Sequence, residues 1–437
     1  MNKSLNKRWI TGVILYLFVN INEVNGKEGF GPGEQDWGYV QVRPGAHMFW
    51  WLYYVNPPVK SPDFDVFSRP LLIWLQGHPG ASATGFGNFG EVGPFDINLQ
   101  ERNHTWINDF NVLFIDNLET GFSYLENLSN YSENGKGTAQ ELIELMRGFF
   151  EAIPEFKNIP TYILGEFYSG KVAVETAFLW YKIQERGDIE SNLKGVATGD
   201  SLISPADTVL SYAPFLLNTG LVDPLGFEKL KIVSDKIIDE MNAGNWNNAI
   251  NLWDYALKMA STYTGKINFK RFLKQKAVIN TLLYYISHEK LLSDSEVHKK
   301  VTIIMNGIKE SLNLNVTWSY TPLAAIDFPK DFTKPINKIV ERLLDETNLR
   351  VVVWSGKLNS IAVTPGTLVW VEKLQWKYSK AWRNSKTNPL VIDNIIEGYY
   401  KEFNNFKIFF IKHISHTVFQ ENFKAMEAIL QGLISDK

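Results

Sequence analysis

The sequence predicts a doubly wound α/β domain: a mostly parallel sheet with helices on both faces and a helical insertion above one end. Three observations carry this expectation. Short apolar runs recur along the chain, most of them ending at glycine, aspartate or asparagine, as buried strands of a parallel sheet do. Stretches with helical spacing lie between them, the alternation that builds a two-sided sheet. One central tract, about 205–345, is rich in Lys, Asn, Leu and Trp at helical spacing and has few strand-like runs.

Taken in order, Ala46 to Val55 and Pro70 to Gln76 read as strands, followed by Asn111 to Asp116. Leu142, Leu145, Met146, Phe149 and Phe150 recur at helix spacing. Thr161 to Leu164 is the next strand. A helical pattern from Lys171 to Arg186 follows it, with Gly187 where a helix C-cap belongs. Gly195 to Thr198 precedes the helical tract. Leu349 to Trp354 and Lys407 to Ile411 resume the sheet after it, so the tract reads as an insertion over the cleft and not as a separate domain.

Composition narrows the class. A chain of 437 residues can bury a large core as one α/β domain. Its 14 tryptophans point to a dense interior or a broad apolar cleft. Net charge is −3 with no long basic block, which argues against nucleic acid as a partner. Lys3, Lys7 and Arg8 precede an apolar run from Ile10 to Ile21, and Val24 and Gly26 satisfy the small-residue rule for cleavage. Residues 1–26 thus read as a secretory signal and 27–437 as one mature domain, secreted or delivered to the endolysosomal lumen. The run is too short to span a bilayer, and no later segment reads as a membrane span. Asn103, Asn127, Asn130 and Asn315 open glycosylation sequons. The chain has no cysteine, so its stability rests on the core and not on disulfides.

The most informative stretch is Gly165-Glu166-Phe167-Tyr168-Ser169-Gly170-Lys171. It lies between a strand and a helix, where an α/β-hydrolase places its nucleophile in the pattern G-x-S-x-G. The serine slot holds Phe167, which has no hydroxyl and cannot attack a carbonyl. The expected fold is therefore the α/β-hydrolase fold, without a nucleophile at its elbow.

Other motifs name the family that the chain resembles. Trp74-Leu75-Gln76-Gly77-His78-Pro79-Gly80-Ala81-Ser82 is similar to the W-[NQ]-G-G-P-G-x-S signature of serine carboxypeptidases. Glu91-Val92-Gly93-Pro94 matches their E-x-G-P, Thr120-Gly121-Phe122-Ser123-Tyr124 their T-G-F-S-Y, and Gly199-Asp200-Ser201 their G-D-S. The elbow resembles G-E-S-Y-G-G-K. Phe49 to Tyr54 and Gly85 to Phe89 look like the retinoid-inducible branch of that family.

The resemblance implies a Ser-Asp-His triad in that chain order. Its nucleophile position falls on Phe167, its acid position on Asn359 and its base position on His416, so one member of three is present. Loss of a triad serine lowers turnover by about 10⁶, and an asparagine in place of the acid by about 10⁴. The chain therefore reads as a catalytically inactive homologue. The implied oxyanion-hole donors are the backbone N–H groups of His78 and Tyr168, and the His78 imidazole intrudes where the family has glycine. The implied carboxylate-binding residues Gln76, Glu91 and Glu166 all match. Two adjacent glutamates cannot both ionise cheaply, so one keeps its proton in mild acid and can donate to a peptide's terminal carboxylate.

Each residue also has a plainer reading. Glu91 and Glu166 can be scaffold hydrogen-bonders, and His416 a buried histidine bonded to Asn359. Ser169 sits where the helix should start and reads as a cap or packing residue. His413 and His416 have no carboxylate at ligand spacing, so no metal is expected, and no cofactor. Three roles follow: an inactive binder of peptides with a free C-terminus, with Phe167 as an apolar floor beneath the ligand; a residual hydrolase using Ser169 or water with His416; or a structural partner of an active relative. The last predicts an exposed apolar patch away from the cleft.

Overall fold

The computed structural model describes residues 26–435, apart from 62, 77–80, 119, 128–134, 265–295, 321–327, 360–361, 413 and 415–421. The strands in chain order begin with β1 (Gln35–Arg43), β2 (Ala46–Tyr53), β3 (Leu71–Leu75) and β4 (Asn111–Ile115). The two-residue strands β5 (Thr120–Gly121) and β6 (Tyr124–Leu125) follow, then β7 (Thr161–Glu166), β8 (Leu193–Gly199) and the short β9 (Ser319–Tyr320). β10 (Arg350–Gly356), β11 (Thr387–Ile392), β12 (Ile395–Phe403) and β13 (Phe406–Ile411) complete the set. The main sheet runs β1-β2-β4-β3-β7-β8-β10-β13-β12-β11, with β6 on β2. From β4 to β13 every neighbour is parallel, and the pairs on either flank are antiparallel.

The seven strand-like runs of the sequence fall on β2, β3, β4, β7, β8, β10 and β13. β1, β11 and β12 are additions to the expected sheet. They are flanking antiparallel strands, with many half-exposed positions instead of a continuous apolar run.

The central strands are apolar throughout because both faces are covered. Leu71, Ile73 and Leu75 of β3 point into one core while Leu72 and Trp74 point into the other. Val351 and Val353 against Val352 and Trp354 repeat this on β10, the two-residue period of a strand buried on both sides. The first core lies under the helices α1 (Gly135–Ala152) and α2 (Phe167–Glu185).

A third core lies within the inserted helices α3 (Pro205–Asn218), α4 (Pro224–Asn242) and α5 (Trp246–Tyr263). The later helices are α6 (Glu296–Ser311), the short α7 (Phe328–Thr333), α8 (Asn337–Glu346), α9 (Thr364–Lys373), α10 (Ser379–Asn384) and α11 (Phe423–Ile434). The second core takes in residues of α6 and α11. Among the described residues, no helix is long and apolar enough to cross a membrane.

Candidate functional site

Several of the candidate positions lie where the parallel strands end at their carboxyl termini, the edge at which open α/β sheets place their sites. Gln76 follows β3, Phe167 follows β7, Asp200 follows β8 and Asn359 lies three residues beyond β10. His416 comes five positions after β13, but it lies outside the described residues, as do His413 and His78.

The elbow is built by its glycines and by one strained residue. α2 begins at Phe167 itself, four residues earlier than the pattern at Lys171 predicts. Strand and helix therefore meet with no intervening loop, and Phe167 takes the left-handed conformation at φ 49°. That geometry costs a residue with a Cβ about 1–2 kcal/mol. At Gly165 a Cβ would lie 2.5 Å from the Ser169 carbonyl oxygen, and at Gly170 it would collide with the hydroxyls of Ser201 and Thr198. The sharp turn and the close seat of α2 on β8 both depend on these two glycines. The far end of α2 closes with Gly187 at φ 77°, its N–H bonded to the Gln184 carbonyl.

The tip of the elbow is covered. Phe167 is only 1% exposed and belongs to the core of the insertion, with Leu202, Trp253, Phe332, Ala362 and Val363. Its ring centroid stands 5.8 Å from that of Phe332, which in turn meets Trp253 at 5.4 Å. This corrects the expectation of an apolar floor under a bound ligand: the ring fills the space above the turn and is itself roofed.

Among the described residues, the hydroxyls of Ser169, Ser201 and Ser355 are each committed to a bond. Ser169 is 1% exposed, and its hydroxyl donates to the backbone carbonyl of Gln76. Ser201 donates to the Gly199 carbonyl at 2.8 Å, and Ser355 donates to Asp200 Oδ1 at 3.0 Å. Asp200, at φ 44°, also receives the Gly356 N–H at 3.1 Å and so fastens the end of β8 to the end of β10. Asn359, 1% exposed, accepts the Ala362 N–H at 3.1 Å through its side-chain oxygen and closes a local turn. Tyr168, whose N–H the resemblance makes an oxyanion-hole donor, is the second residue of α2.

Of the three positions for which the resemblance implies carboxylate binding, Gln76 and Glu91 are joined directly. Gln76 Nε2 donates to Glu91 Oε1 at 3.1 Å, and the side-chain oxygen Gln76 Oε1 accepts the Trp74 indole N–H at 3.1 Å. Glu91 rides on an unusual π-helical segment, Ala83–Val92. A single Cβ on Gly87 would stand 2.6 Å from Trp74 and 3.0 Å from Gln76 Oε1, so a glycine there admits the indole and the amide. Arg102 secures the segment by donating to the carbonyls of Phe89 at 2.6 Å, Glu91 at 2.9 Å and Phe95 at 3.3 Å. At the other end the buried Asp116 accepts the N–H and hydroxyl of Thr84, at 3.0 and 2.6 Å, and the Phe122 N–H at 3.0 Å. Burial pushes Asp116 up to about 6 despite those bonds. Glu166, the residue before α2, is 5% exposed, as buried as Gln76 and Glu91 at 4% and 9%.

Sequence reasoning missed the groups that close the site from above. Tyr168 donates its hydroxyl to Asp331 Oδ2 at 2.6 Å, and Lys171 donates to backbone carbonyls around α7. The one available signal was a lysine, Lys171, on a stretch of α2 otherwise made of Gly, Val and Ala. Of the sequon asparagines, Asn103, Asn127 and Asn315 are exposed, and Asn130 lies outside the described residues.

With this geometry in place, similarity to known proteins is informative. The serine carboxypeptidase family model matches residues 26–436. The retinoid-inducible serine carboxypeptidase of Mus musculus is 35% identical over 404 residues, covering 88% of each chain. Serine carboxypeptidase-like 51 of Arabidopsis thaliana is 31% identical over 418 residues, covering 88% of this chain and 89% of the relative. The crystal structure of Kex1ΔP, a prohormone-processing carboxypeptidase from Saccharomyces cerevisiae, superposes with a TM-score of 0.76 at 21% identity. It covers 91% of this chain and 90% of its own, a likeness of fold. On the family match and these identities, the chain belongs to the serine carboxypeptidase family.

Proposed function

We propose that this protein is a catalytically silent serine carboxypeptidase homologue that holds peptide C-termini without cutting them. The observation that carries the reading is the contrast within one site. The residue at the nucleophile position is a buried phenylalanine under Phe332, while Gln76 and Glu91, at the end of the neighbouring strand β3 and after it, are joined. A serine-type reaction needs a hydroxyl at the elbow tip with a base in reach. Phe167 offers none, and the Ser169 hydroxyl is turned to the Gln76 carbonyl. A carboxylate ligand needs only donors, and the Gln76 amide with one protonated glutamate supplies them in mild acid. The basic and apolar leader over residues 1–26 supports delivery to a secretory or lysosomal lumen, where such pH is found.

A second reading, a docking partner for an active relative, draws on the β11–β12 hairpin. Val391, Ile395 and Ile396 are 52%, 59% and 43% exposed there.

Calorimetric titration of the mature protein at about pH 5 with peptides bearing free or amidated C-termini tests the first reading. Binding confined to the free acids, with no cleavage by mass spectrometry, is the expected result. Equal binding of both forms, or release of the last residue, would overturn it. Silence toward every peptide would move attention to the hairpin.

A further inference from the structure

Glu91 reaches the cradle it forms with Gln76 from a rare backbone. At the end of the π-helical segment Ala83–Val92, the Gly93 N–H bonds the Asn88 carbonyl, five residues back, at 3.0 Å. An α-helix would pair Gly93 with Phe89, four residues back. The π register therefore leaves the Phe89 carbonyl in need of another donor, and the residue five positions on, Pro94, has no N–H to give. Phe89 is 0% exposed, so water does not serve it either. Arg102 supplies the donor. Its Nη2 donates to the Phe89 carbonyl at 2.6 Å, Nη1 to that of Glu91 at 2.9 Å and Nε to that of Phe95 at 3.3 Å. The chain returns to make these bonds through a turn in which the Asp96 N–H meets the Gln100 carbonyl at 3.0 Å. A guanidinium suits the task, because its donors form a rigid fork and its charge favours the carbonyl end of a helix.

The segment has further anchors. At its start Ser82 accepts the Gly85 N–H at 2.9 Å and the Trp318 indole N–H at 3.2 Å, and Asp116 holds Thr84. In the middle Asn88 Nδ2 donates to the Tyr53 hydroxyl at 3.2 Å. At the end the Thr105 hydroxyl donates to the Val92 carbonyl and the Arg102 backbone N–H to that of Pro94, each at 2.8 Å. These bonds fix the two ends and the core-facing side, whereas the Arg102 fork acts within the last turn, at the carbonyl of Glu91 itself. We propose that Arg102 is a positioning residue, holding that turn in the π register and so keeping Glu91 turned toward Gln76. Without the fork the buried Phe89 carbonyl is short of a donor, a costly state, and the nearest remedy is transfer of the Gly93 N–H to it from Asn88. That step tightens the last turn to α winding, rotates Glu91 about the axis and breaks its 3.1 Å bond from Gln76.

The first test needs no ligand. Crystal structures of the mature protein and of Arg102→Met should show Gly93 bonded to Asn88 in the former and to Phe89 in the latter, with Glu91 out of hydrogen-bond reach of Gln76 in the variant. A Gln76–Glu91 bond that persists in Arg102→Met would overturn the assignment. The second test rests on the carboxylate-binding reading above and uses the same peptides at about pH 5. Arg102→Met should weaken a free-acid peptide at least about tenfold. Arg102→Lys keeps the charge and loses the fork, so a loss of at least about threefold there reports position and not the field of a cation. Undiminished binding in Arg102→Lys would overturn the proposal. Should Arg102→Met fail to fold, Arg102→Lys carries both tests, and an undisplaced Glu91 in its crystal structure would equally defeat it. If the unaltered protein binds no free-acid peptide, the carboxylate reading falls, while the crystal structures still decide the role of Arg102.

Discussion

At the end of β7 the backbone keeps a left-handed turn, but the side chain it presents is a core residue. At the end of β3 the side chains keep their polar bonds on a framework of ordinary strand and π-helix. Phe167 holds φ 49° with its ring wedged beneath Phe332, whereas Gln76 bridges Trp74 and Glu91. The strained turn of a nucleophile elbow serves to push a reactive atom into the cleft. Here the same strain delivers an apolar ring into the insertion's core, and burial of that ring offsets the cost. The contrast teaches that scaffold and chemistry can part: the turn persists because packing supports it, and the cradle because its members satisfy one another.

Truncating the ring tests that contrast most severely. Phe167→Ala should destabilise the fold by about 3–5 kcal/mol in urea titration, the range for emptying a buried aromatic site. A loss below about 1 kcal/mol would mean that the elbow is not a packing residue. Acid should act next most strongly. Glu175 and Asp116 are both raised by burial, so the fold holds their protons more tightly than the unfolded chain does. Their stabilisation is full in acid and fades as pH climbs through about 6 for Asp116 and about 7 for Glu175. Stability should therefore rise from pH 7.5 to pH 5, and Glu175→Gln should remove roughly 2 kcal/mol of that rise.

The cradle should respond more mildly. Gln76→Ala leaves the Trp74 indole N–H and Glu91 short of a partner, which costs about 1–3 kcal/mol. A larger loss than that of Phe167→Ala would reverse the assignment of roles between the two regions. The smallest effect isolates the strain. Phe167→Gly should be more stable than Phe167→Ala by about 1 kcal/mol, because glycine takes a positive φ freely. The opposite order would show that the turn relaxes once the ring is gone.

Much of the fold was legible because its signals are local. Buried parallel strands are continuous apolar runs, and β3, β7 and β10 announce themselves that way. β1 and β12 were missed because flanking antiparallel strands mix exposed and buried positions. Within the site, the absence of a hydroxyl at Phe167 and the presence of Gln76, Glu91 and Glu166 could be read from motif spacing. The roof over Phe167 could not. Its parts come from α5 and α7, and the Tyr168–Asp331 and Lys171–Asp331 bonds join residues 163 and 160 positions apart.

The sequence by itself therefore settled which atoms this site lacks, since a side chain's functional groups need no fold to be known. Only the tertiary structure decided where the remaining atoms point. Ser169 turns to the Gln76 carbonyl, Asn359 closes its own turn, and Phe167 is sealed beneath Phe332. Those outcomes depend on which distant segment fills the space above the strand ends, and close packing between residues far apart in the chain leaves no local period in the sequence.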